Sequence, residues 1–181
     1  MNEINKNMIK KSIEESIVLS ILDLSSQLKK IGDEVYQKVG LTTQQWLILL
    51  HLADNPNLPF FKREKHEKDL MASELADSLN VTRANITNLI NILLDKGLIR
   101  QYEDNKDRRK KRLKLTKKGI TLVNKTQPSR LGVINYLTEG FSKEEKQTFL
   151  CFLEQCMDKL INEDEKIKSF HKLLENSDVD L

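Results

Sequence analysis

The chain has 181 residues, of which 39% are hydrophobic and 31% are charged, so it can bury a core and suits one subunit of one or two lobes. No apolar run approaches the roughly 18 residues of a membrane span, and the polar start does not resemble a signal peptide, so we expect a cytoplasmic protein that contacts no membrane. Two cysteines, Cys151 and Cys156, exclude a disulfide framework and a closely spaced Cys/His zinc motif.

The formal net charge of +3 conceals a strong asymmetry along the chain. Residues 83–118 carry 12 Lys and Arg against 4 Asp and Glu, a local charge of +8. The remaining residues carry 18 against 23, a charge of −5. Such a cationic segment is typical of a surface that binds a phosphate backbone. The alternative is a solvated lysine-rich surface, which the motifs within this segment disfavour.

The first predicted helix begins at Ile13. Its apolar residues alternate spacings of four and three, close to the heptad seam of a coiled coil: Ile17, Ile21, Leu24, Leu28, Ile31 and Val35. A seam this regular requires a partner helix. A second helix, capped by Thr42 or Thr43, is predicted to run through about Ala53.

Two short helices are predicted after residue 71. The first covers residues 72–79, and Thr82 is well placed to cap the second. The second has a buried-type stripe at Ile86, Leu89, Ile90 and Leu93. Its other face carries small and amide side chains, which suit hydrogen bonding to base edges: Ala84, Thr87, Asn88 and Asn91. This pattern indicates a helix-turn-helix.

A basic hairpin is predicted directly after the second helix. Gly97 supplies a helix stop, residues 98–103 suit a strand, and residues 110–115 suit the returning strand. The turn between them covers residues 104–109. We call this hairpin, residues 98–115, the wing.

The ordered set of motifs resembles the MarR family of bacterial transcriptional regulators. The resemblance rests on Gly97-Leu-Ile-Arg, on Asp104-Asn-Lys-Asp-Arg-Arg109 in the wing, and on Leu115-Thr-Lys-Lys-Gly119 at the start of the next helix. Asp107 and Arg109 fall on the Asp-x-Arg positions of the family's wing. Together these motifs span about fifty residues in the family's order.

The resemblance implies a mainly α fold with two lobes. One is a winged helix-turn-helix DNA-binding lobe with a two- or three-stranded wing sheet, and the other is a helical dimerisation lobe built from the N- and C-terminal helices. We expect residues 1–40 and 119–181 to dimerise and residues 41–118 to bind DNA. Residues 55–70 are longer than the family's connection. A solvated loop is favoured there, with a helical extension or a DNA contact as open alternatives.

A dimer of this kind sets two recognition helices about one DNA turn apart, which implies a pseudo-palindromic operator. The recognition-helix residues assigned to DNA are Thr82, Arg83, Ala84, Asn85, Thr87, Asn88 and Asn91. Arg83 can pair with guanine and Asn88 with adenine, although a plain phosphate contact by Arg83 is nearly as well supported. The wing residues assigned to DNA are Lys106, Arg108 and Arg109. The lysines and arginine at 110–112 alternate along a strand, so not all of them can face the duplex.

The resemblance also implies roles within the wing and a ligand site. Arg109 matches the family's minor-groove arginine, and Asp107 resembles its structural acid, which orients the wing by ion pairing. In the family, small aromatic ligands often bind between the two lobes. Tyr36, Trp46 and His51 would lie near that crevice, although aromatic residues at helical spacing are more often core.

The helices after the wing give four further expectations. Thr116 is predicted to cap a helix with two lysines in its first turn, which opposes the helix dipole and makes sense if phosphates lie nearby. Pro128 predicts a kink or break in that helix. Ser142 and Glu145 predict a capping box that opens the final helix. Both cysteines are predicted to be buried, inert thiols on that last helix.

No catalytic residue, metal site or cofactor is predicted. The sequence lacks a Gly-rich phosphate loop, a Gly-x-Ser-x-Gly elbow and a His-Glu-x-x-His motif, and its histidines, His51, His66 and His171, are scattered. The motifs and the resemblance together predict a homodimeric regulator that binds double-stranded DNA, a repressor by the family's habit, and the resemblance also implies release by a small-molecule ligand, for which a small aromatic compound is a candidate. The alternative is a winged-helix dimer that acts as a protein-interaction module without sequence-specific DNA binding.

Overall fold

A computed structural model describes residues 12–58, residues 69–162 and Ser169. Its elements in chain order are α1 Ile13–Gln37, α2 Thr43–Leu52, β1 Leu70–Met71, α3 Ala72–Ser78, α4 Arg83–Asp95, β2 Ile99–Glu103, β3 Lys111–Leu115, α5 Lys117–Leu137 and α6 Lys143–Asn162. The chain divides into two compact units, Met1–Lys125 and Thr126–Leu181. The predicted mainly α fold with a small wing sheet is confirmed.

Side-chain caps fix where two of the helices begin. Thr42 and Gln45 form a capping box at α2, in which the Gln45 N–H donates to Thr42 Oγ1 at 3.3 Å and the Thr42 N–H donates to Gln45 Oε1 at 3.0 Å. At α4 the Asn85 N–H donates to Thr82 Oγ1 at 3.2 Å. These bonds satisfy N–H groups that have no partner within the helix. The caps predicted at Thr42 and Thr82 are confirmed.

One apolar core holds the first unit together. Its largest fully buried side chains come from α2, α3, α4 and the sheet: Ile48, Leu49, Leu75, Ile86, Leu93, Ile99 and Leu113. Full burial of one such side chain stabilises a fold by about 1.5–3 kcal/mol relative to exposure. The apolar stripe predicted on α4 is buried in this core. Its burial leaves the opposite, polar face of α4 in solvent.

The sheet ties the wing to the helix-turn-helix. Its strand order is β1-β3-β2 and both pairs are antiparallel. Leu113 on the central strand pairs with Gln101 of β2 and with Leu70 of β1. Because β1 leads directly into α3, the hairpin and the two short helices share one framework. The interpretations of residues 55–70 stay open, since residues 59–68 lie outside the described residues.

The start of α5 is capped as predicted, and one of its lysines has a structural partner. The Gly119 N–H donates to Thr116 Oγ1 at 3.1 Å, and this hydroxyl donates to the Gly97 carbonyl at 2.7 Å. Lys118 Nζ donates to the Lys96 carbonyl at 2.7 Å. Lys96 caps the C-terminus of α4, so this ammonium complements the negative end of that helix. A nearby phosphate is therefore not needed to explain Lys118.

Gly119 lies where α5 passes close to the chain just before β2. A Cβ atom at Gly119 would lie 2.1 Å from the Leu98 carbonyl oxygen, whereas a Cβ at Gly132 would meet nothing within 4 Å. We expect Gly119→Ala to lower the free energy of unfolding by about 1–3 kcal/mol or more. Gly132→Ala, on the same helix, should leave it unchanged or raise it by up to about 1 kcal/mol. Denaturant unfolding followed by circular dichroism measures both, and equal effects would contradict the close approach.

Two expectations about the C-terminal helices need correction. Of the kink or break predicted near Pro128, the break is absent, since α5 runs continuously over Lys117–Leu137. Proline removes a single N–H donor, and the helix tolerates this loss. Cys151 and Cys156 are both exposed in the isolated chain, so the prediction of buried thiols is wrong there. Apolar residues at helical spacing indicate that one face of a helix is buried. They do not show whether this face packs on the core of its own chain or on another molecule.

The final helix begins as predicted. The Ser142 N–H donates to Glu145 Oε2 at 2.8 Å, and the Glu145 N–H donates to Ser142 Oγ at 3.1 Å. This reciprocal pair is the capping box expected from the spacing of the two residues, and α6 follows it from Lys143 to Asn162. A continuation beyond residue 162 lies outside the described residues, apart from the helical Ser169.

Candidate nucleic-acid interface

The solvent face of α4 carries every residue that the sequence assigned to base contact on this helix. All seven of these residues are exposed: Thr82, Arg83, Ala84, Asn85, Thr87, Asn88 and Asn91. Successive helical residues are turned by 100°. Ala84, Asn88 and Asn91 therefore lie opposite the buried stripe, with Arg83 and Asn85 on the two flanks of this face. The face is polar, nearly uncharged at its centre and free of large side chains.

Thr87 has an additional constraint within the helix. Its hydroxyl donates to the Arg83 carbonyl at 2.8 Å, one turn earlier. A hydroxyl has one donor and two acceptor lone pairs, and this bond uses the donor. Thr87 therefore presents a methyl group and an acceptor oxygen to whatever lies against α4.

At the tip of the wing, Asp107 lies against Arg109. The guanidinium contacts the carboxylate with Nε–Oδ1 at 3.1 Å and Nη2–Oδ2 at 3.4 Å, and the Arg109 N–H donates to Oδ1 at 3.1 Å. The guanidinium first, and the N–H second, lower the pKa of Asp107. The Arg109 side chain is 92% exposed, so this ion pair contributes only about 0–1 kcal/mol. The arginine remains accessible to a DNA groove.

A second aspartate, which the sequence reasoning missed, organises the turn of the wing. Asp104 Oδ1 accepts the N–H groups of Lys106 at 2.8 Å and Asp107 at 3.1 Å. Its other oxygen, Oδ2, pairs with Nε of Arg112. The two side chains of this pair are only 12% and 10% exposed. The Arg112 hydrogen bond first, and the two backbone N–H groups next, lower the pKa of Asp104 to about 2.

Arg112 also connects the wing to β1. Its Nη1 donates to the Asp69 carbonyl at 2.7 Å. The Asp69 carboxylate accepts a hydrogen bond from the Tyr102 hydroxyl and lies 3.7 Å from Lys114 Nζ, which is 4.3 Å from the centre of the Tyr102 ring. Burial first, and then the bond to Asp69, raise the pKa of Tyr102 to about 12. We call Asp69, Tyr102, Asp104, Arg112 and Lys114 the wing-base cluster.

The wing-base cluster reduces the charge that the wing can offer to DNA. Arg112 and Lys114 contribute to the charge of +8 counted over residues 83–118, but carboxylates of the same chain already lie beside both cations. The cross-strand pairing of Arg112 with Tyr102 can be predicted from the sequence once the register of the hairpin is known. The contact of Arg112 with Asp69 cannot, because the two residues are 43 positions apart in the chain.

The three residues assigned to a ligand site belong to the interior of the first unit. Tyr36 and Trp46 stack with ring centres 4.4 Å apart and planes 13° apart, and each of the two is 5% exposed. His51 is equally buried. An open groove of about 560 Å³ lies nearby along α1 and the start of α2, and its lining includes Lys29, Lys30 and Leu41.

Neither a metal centre nor a membrane span is visible in the part of the chain that the structure describes. No group of three or more His, Cys, Asp or Glu side chains in those residues could hold a metal ion. None of the helices described is both long enough and apolar enough to cross a bilayer.

The sequence of the helix-turn-helix and wing can be compared with known families. Residues 39–110, from the turn after α1 to the wing, match the sequence profile of the MarR family. Over these residues the chain is similar to the MarR family. Among curated relatives, the HTH-type transcriptional repressor YetL of Bacillus subtilis is 28% identical over 144 residues, which are 80% of each chain. The homoprotocatechuate degradative operon repressor of Escherichia coli is 23% identical over 143 residues, 79% of this chain and 88% of the repressor.

Solved structures with similar folds carry MarR-family names or regulator names. A MarR protein from Peptoclostridium difficile has a TM-score of 0.71 at 24% identity, covering 90% of this chain and 99% of its own. The S. aureus MepR-DNA complex has a TM-score of 0.67 at 24% identity, covering 82% and 99%. At these identities the likeness shows the fold, and it agrees with the winged helix described above.

Proposed function

We propose that this protein is a homodimeric DNA-binding regulator of transcription that represses from a pseudo-palindromic operator. The observation that carries the proposal is the pairing, on one unit, of an exposed polar face on α4 with an exposed basic wing. A helix with small and amide side chains fits the major groove. The exposed arginine at the wing tip, Arg109, suits the narrower minor groove, where negative potential attracts a long cation. The named relatives, which are repressors, support the same conclusion.

The apolar surface of α1 supports dimerisation. Five of its seam residues are exposed in the isolated chain: Ile17, Ile21, Leu24, Leu28 and Ile31. An apolar stripe of this length is expected to be covered in solution, and the heptad-like spacing suits a second helix. We propose that residues 1–40 and 119–181 form the dimerisation lobe with the same segments of a second copy, and that residues 41–118 form the DNA-binding domain.

The test is fluorescence anisotropy of the purified protein with labelled DNA from upstream of its own gene, at two salt concentrations and against random competitor DNA. Tight binding that weakens with salt and survives competitor is the expected result. Weak binding that is equal for both DNAs would contradict the proposal and favour the protein-interaction module.

Within the same assay, Arg109→Ala should weaken operator binding by about tenfold, because a charge-assisted contact is lost. It should also reduce the slope of log affinity against log salt by roughly one unit. Lys146→Ala, which removes an exposed cation from α6, is the matched control; once sedimentation shows that it is still dimeric, it should change neither quantity. Unchanged affinity and slope for Arg109→Ala would remove this arginine from the interface.

We further propose that a small aromatic acid releases the protein from DNA. The Escherichia coli relative named above represses a homoprotocatechuate degradative operon, and the groove along α1 is lined by Lys29 and Lys30, which can pair with a carboxylate, beside Asp33 and Glu34. The anisotropy titration repeated with aromatic acids tests this, and DNA binding that no such acid weakens would contradict it. Such a regulator needs no catalytic activity and would act in the cytoplasm.

A further inference from the structure

The solvent face of α4 is unusually rich in amides. Asn88 and Asn91 lie at its centre, and both are exposed. In the major groove a primary amide forms its best pair with adenine, accepting from the N6 amino group and donating to N7. A cytosine offers only a donor in that groove, and a guanine offers two acceptors, so neither uses both halves of the amide. Two central asparagines therefore favour adenines beneath the helix.

The two small residues on this face favour the partner base of adenine. Ala84 presents only a methyl group. Thr87 presents a methyl group and lone pairs, because its hydroxyl proton is held by the Arg83 carbonyl at 2.8 Å. Apolar contact from Ala or a Thr methyl is the usual way to recognise the thymine C5 methyl. To donate to guanine O6 or N7, Thr87 would first have to give up this bond within the helix, which disfavours guanine at its position.

The side chains that most often recognise guanine are nearly absent from α4. Arginine and lysine pair with guanine O6 and N7, and residues 84–94 contain neither. Arg83 is the first helical residue and lies on one flank, where it can reach a phosphate as readily as a base edge. The centre of the recognition face therefore has no cation with which to select a G·C pair.

We infer that the major groove of each operator half-site is A·T-rich where α4 lies, with adenines facing Asn88 and Asn91 and thymine methyl groups facing Ala84 and Thr87. This inference rests on the proposed DNA binding and specifies the sequence class that is bound. The helix selects by amide pairing and methyl contact, and the wing supplies most of the charge.

The experiment begins with selection of duplexes from a random pool by the full-length protein. The expected consensus has half-sites dominated by A·T pairs. Each adenine of the consensus is then replaced, one at a time, by 7-deaza-adenine, which lacks the N7 acceptor and keeps the Watson–Crick edge. At the positions under Asn88 and Asn91 we expect affinity to fall roughly five- to tenfold. Elsewhere the replacement should have little effect.

A variant connects the effect to one side chain. Asn88→Ala should bind the consensus roughly 10- to 100-fold more weakly and should no longer distinguish adenine from 7-deaza-adenine at its position. Folding is expected to be retained because the residue is exposed and alanine favours helix. Asn124→Ala, an exposed asparagine on α5, lies outside the recognition helix and is the control; whatever its affinity for the consensus, the ratio between adenine and 7-deaza-adenine duplexes should be that of the wild type.

The outcomes separate this inference from the proposed function. Two results would contradict the inference that α4 recognises adenines while leaving the proposed DNA binding intact. One is a consensus with G·C-rich half-sites. The other is an A·T-rich consensus in which no 7-deaza-adenine replacement lowers the affinity. Failure of the protein to enrich any duplex would overturn the proposed function itself.

Discussion

Replacing Leu24 and Leu28 together by glutamate should convert the proposed dimer into a monomer and weaken operator binding at least about 100-fold. Both side chains lie on the seam of α1, where they are 44% and 39% exposed in the isolated chain. Four glutamates at the interface of two copies would each have to be desolvated next to a like charge, which association cannot offset. A monomer then binds one half-site and loses the effective concentration that links the two, a factor of 10²–10⁴. Sedimentation equilibrium and anisotropy measure the two effects.

The control variant places the two glutamates one position further along the same helix. Ser25→Glu with Lys29→Glu introduces two glutamates at the same spacing on the same helix, turned by 100° away from the seam. Both positions are exposed, and we expect this variant to remain dimeric. A dimer in the Leu24 and Leu28 variant, with unchanged helical content, would show that the seam lies elsewhere.

Asp104→Ala should lower the free energy of unfolding much more than Asp107→Ala does. It takes the carboxylate away from the Arg112 guanidinium, which is only 10% exposed, and removing the counterion of a buried charge is strongly destabilising. Asp107→Ala is the matched control in the same wing. Its partner Arg109 is 92% exposed, so solvent screens the pair and the loss should be small. Denaturant unfolding monitored by circular dichroism distinguishes these cases, and equal losses would contradict a special role for the buried pair.

A double variant and a pH series sharpen the same prediction. Asp104→Ala combined with Arg112→Leu should recover part of the loss, because the buried charge is then absent, whereas the bond from Arg112 to the Asp69 carbonyl is lost as well. The pKa of Asp104 is lowered from the ordinary 3.8 to about 2, so its stabilisation is complete above pH 3.8 and is lost as pH falls toward 2. Asp104→Asn should therefore show a shallower fall in stability over this window. An identical pH slope in wild type and variant would contradict the assignment.

Much of the fold could be predicted because its signals are local. A stripe spaced i, i+3, i+4, i+7 defined the buried face of α4, and Thr82, three residues before Asn85, defined its start. Side chains one turn apart interact whatever the rest of the chain does, so spacing and capping residues were sufficient. The same locality explains why the wing was found between Gly97 and Thr116.

The roles of the charged residues were harder to predict, because the sequence gives the number of charges but not the groups that lie next to each of them. Lys118 was assigned to nearby phosphates and instead donates to the Lys96 carbonyl. Arg112 was counted among the basic residues of a predicted strand. In the structure its guanidinium bonds to Asp104 and to the Asp69 carbonyl. These contacts depend on strand register and on the path of the chain between distant residues. Neither is encoded in local spacing.

The sequence by itself determined the resemblance to the MarR family, the helix-turn-helix, the wing and the face of α4 that meets solvent, since each follows from periodicity, capping and a motif order spanning about fifty residues. Only the tertiary structure decided which cations of the wing remain available to DNA, that Thr87 has used its donor, and that Cys151 and Cys156 lie on an exposed helix. The physical reason is that hydrogen bonding and burial are properties of pairs of residues brought together by folding, whereas a helix or a turn is largely a property of its own neighbours along the chain.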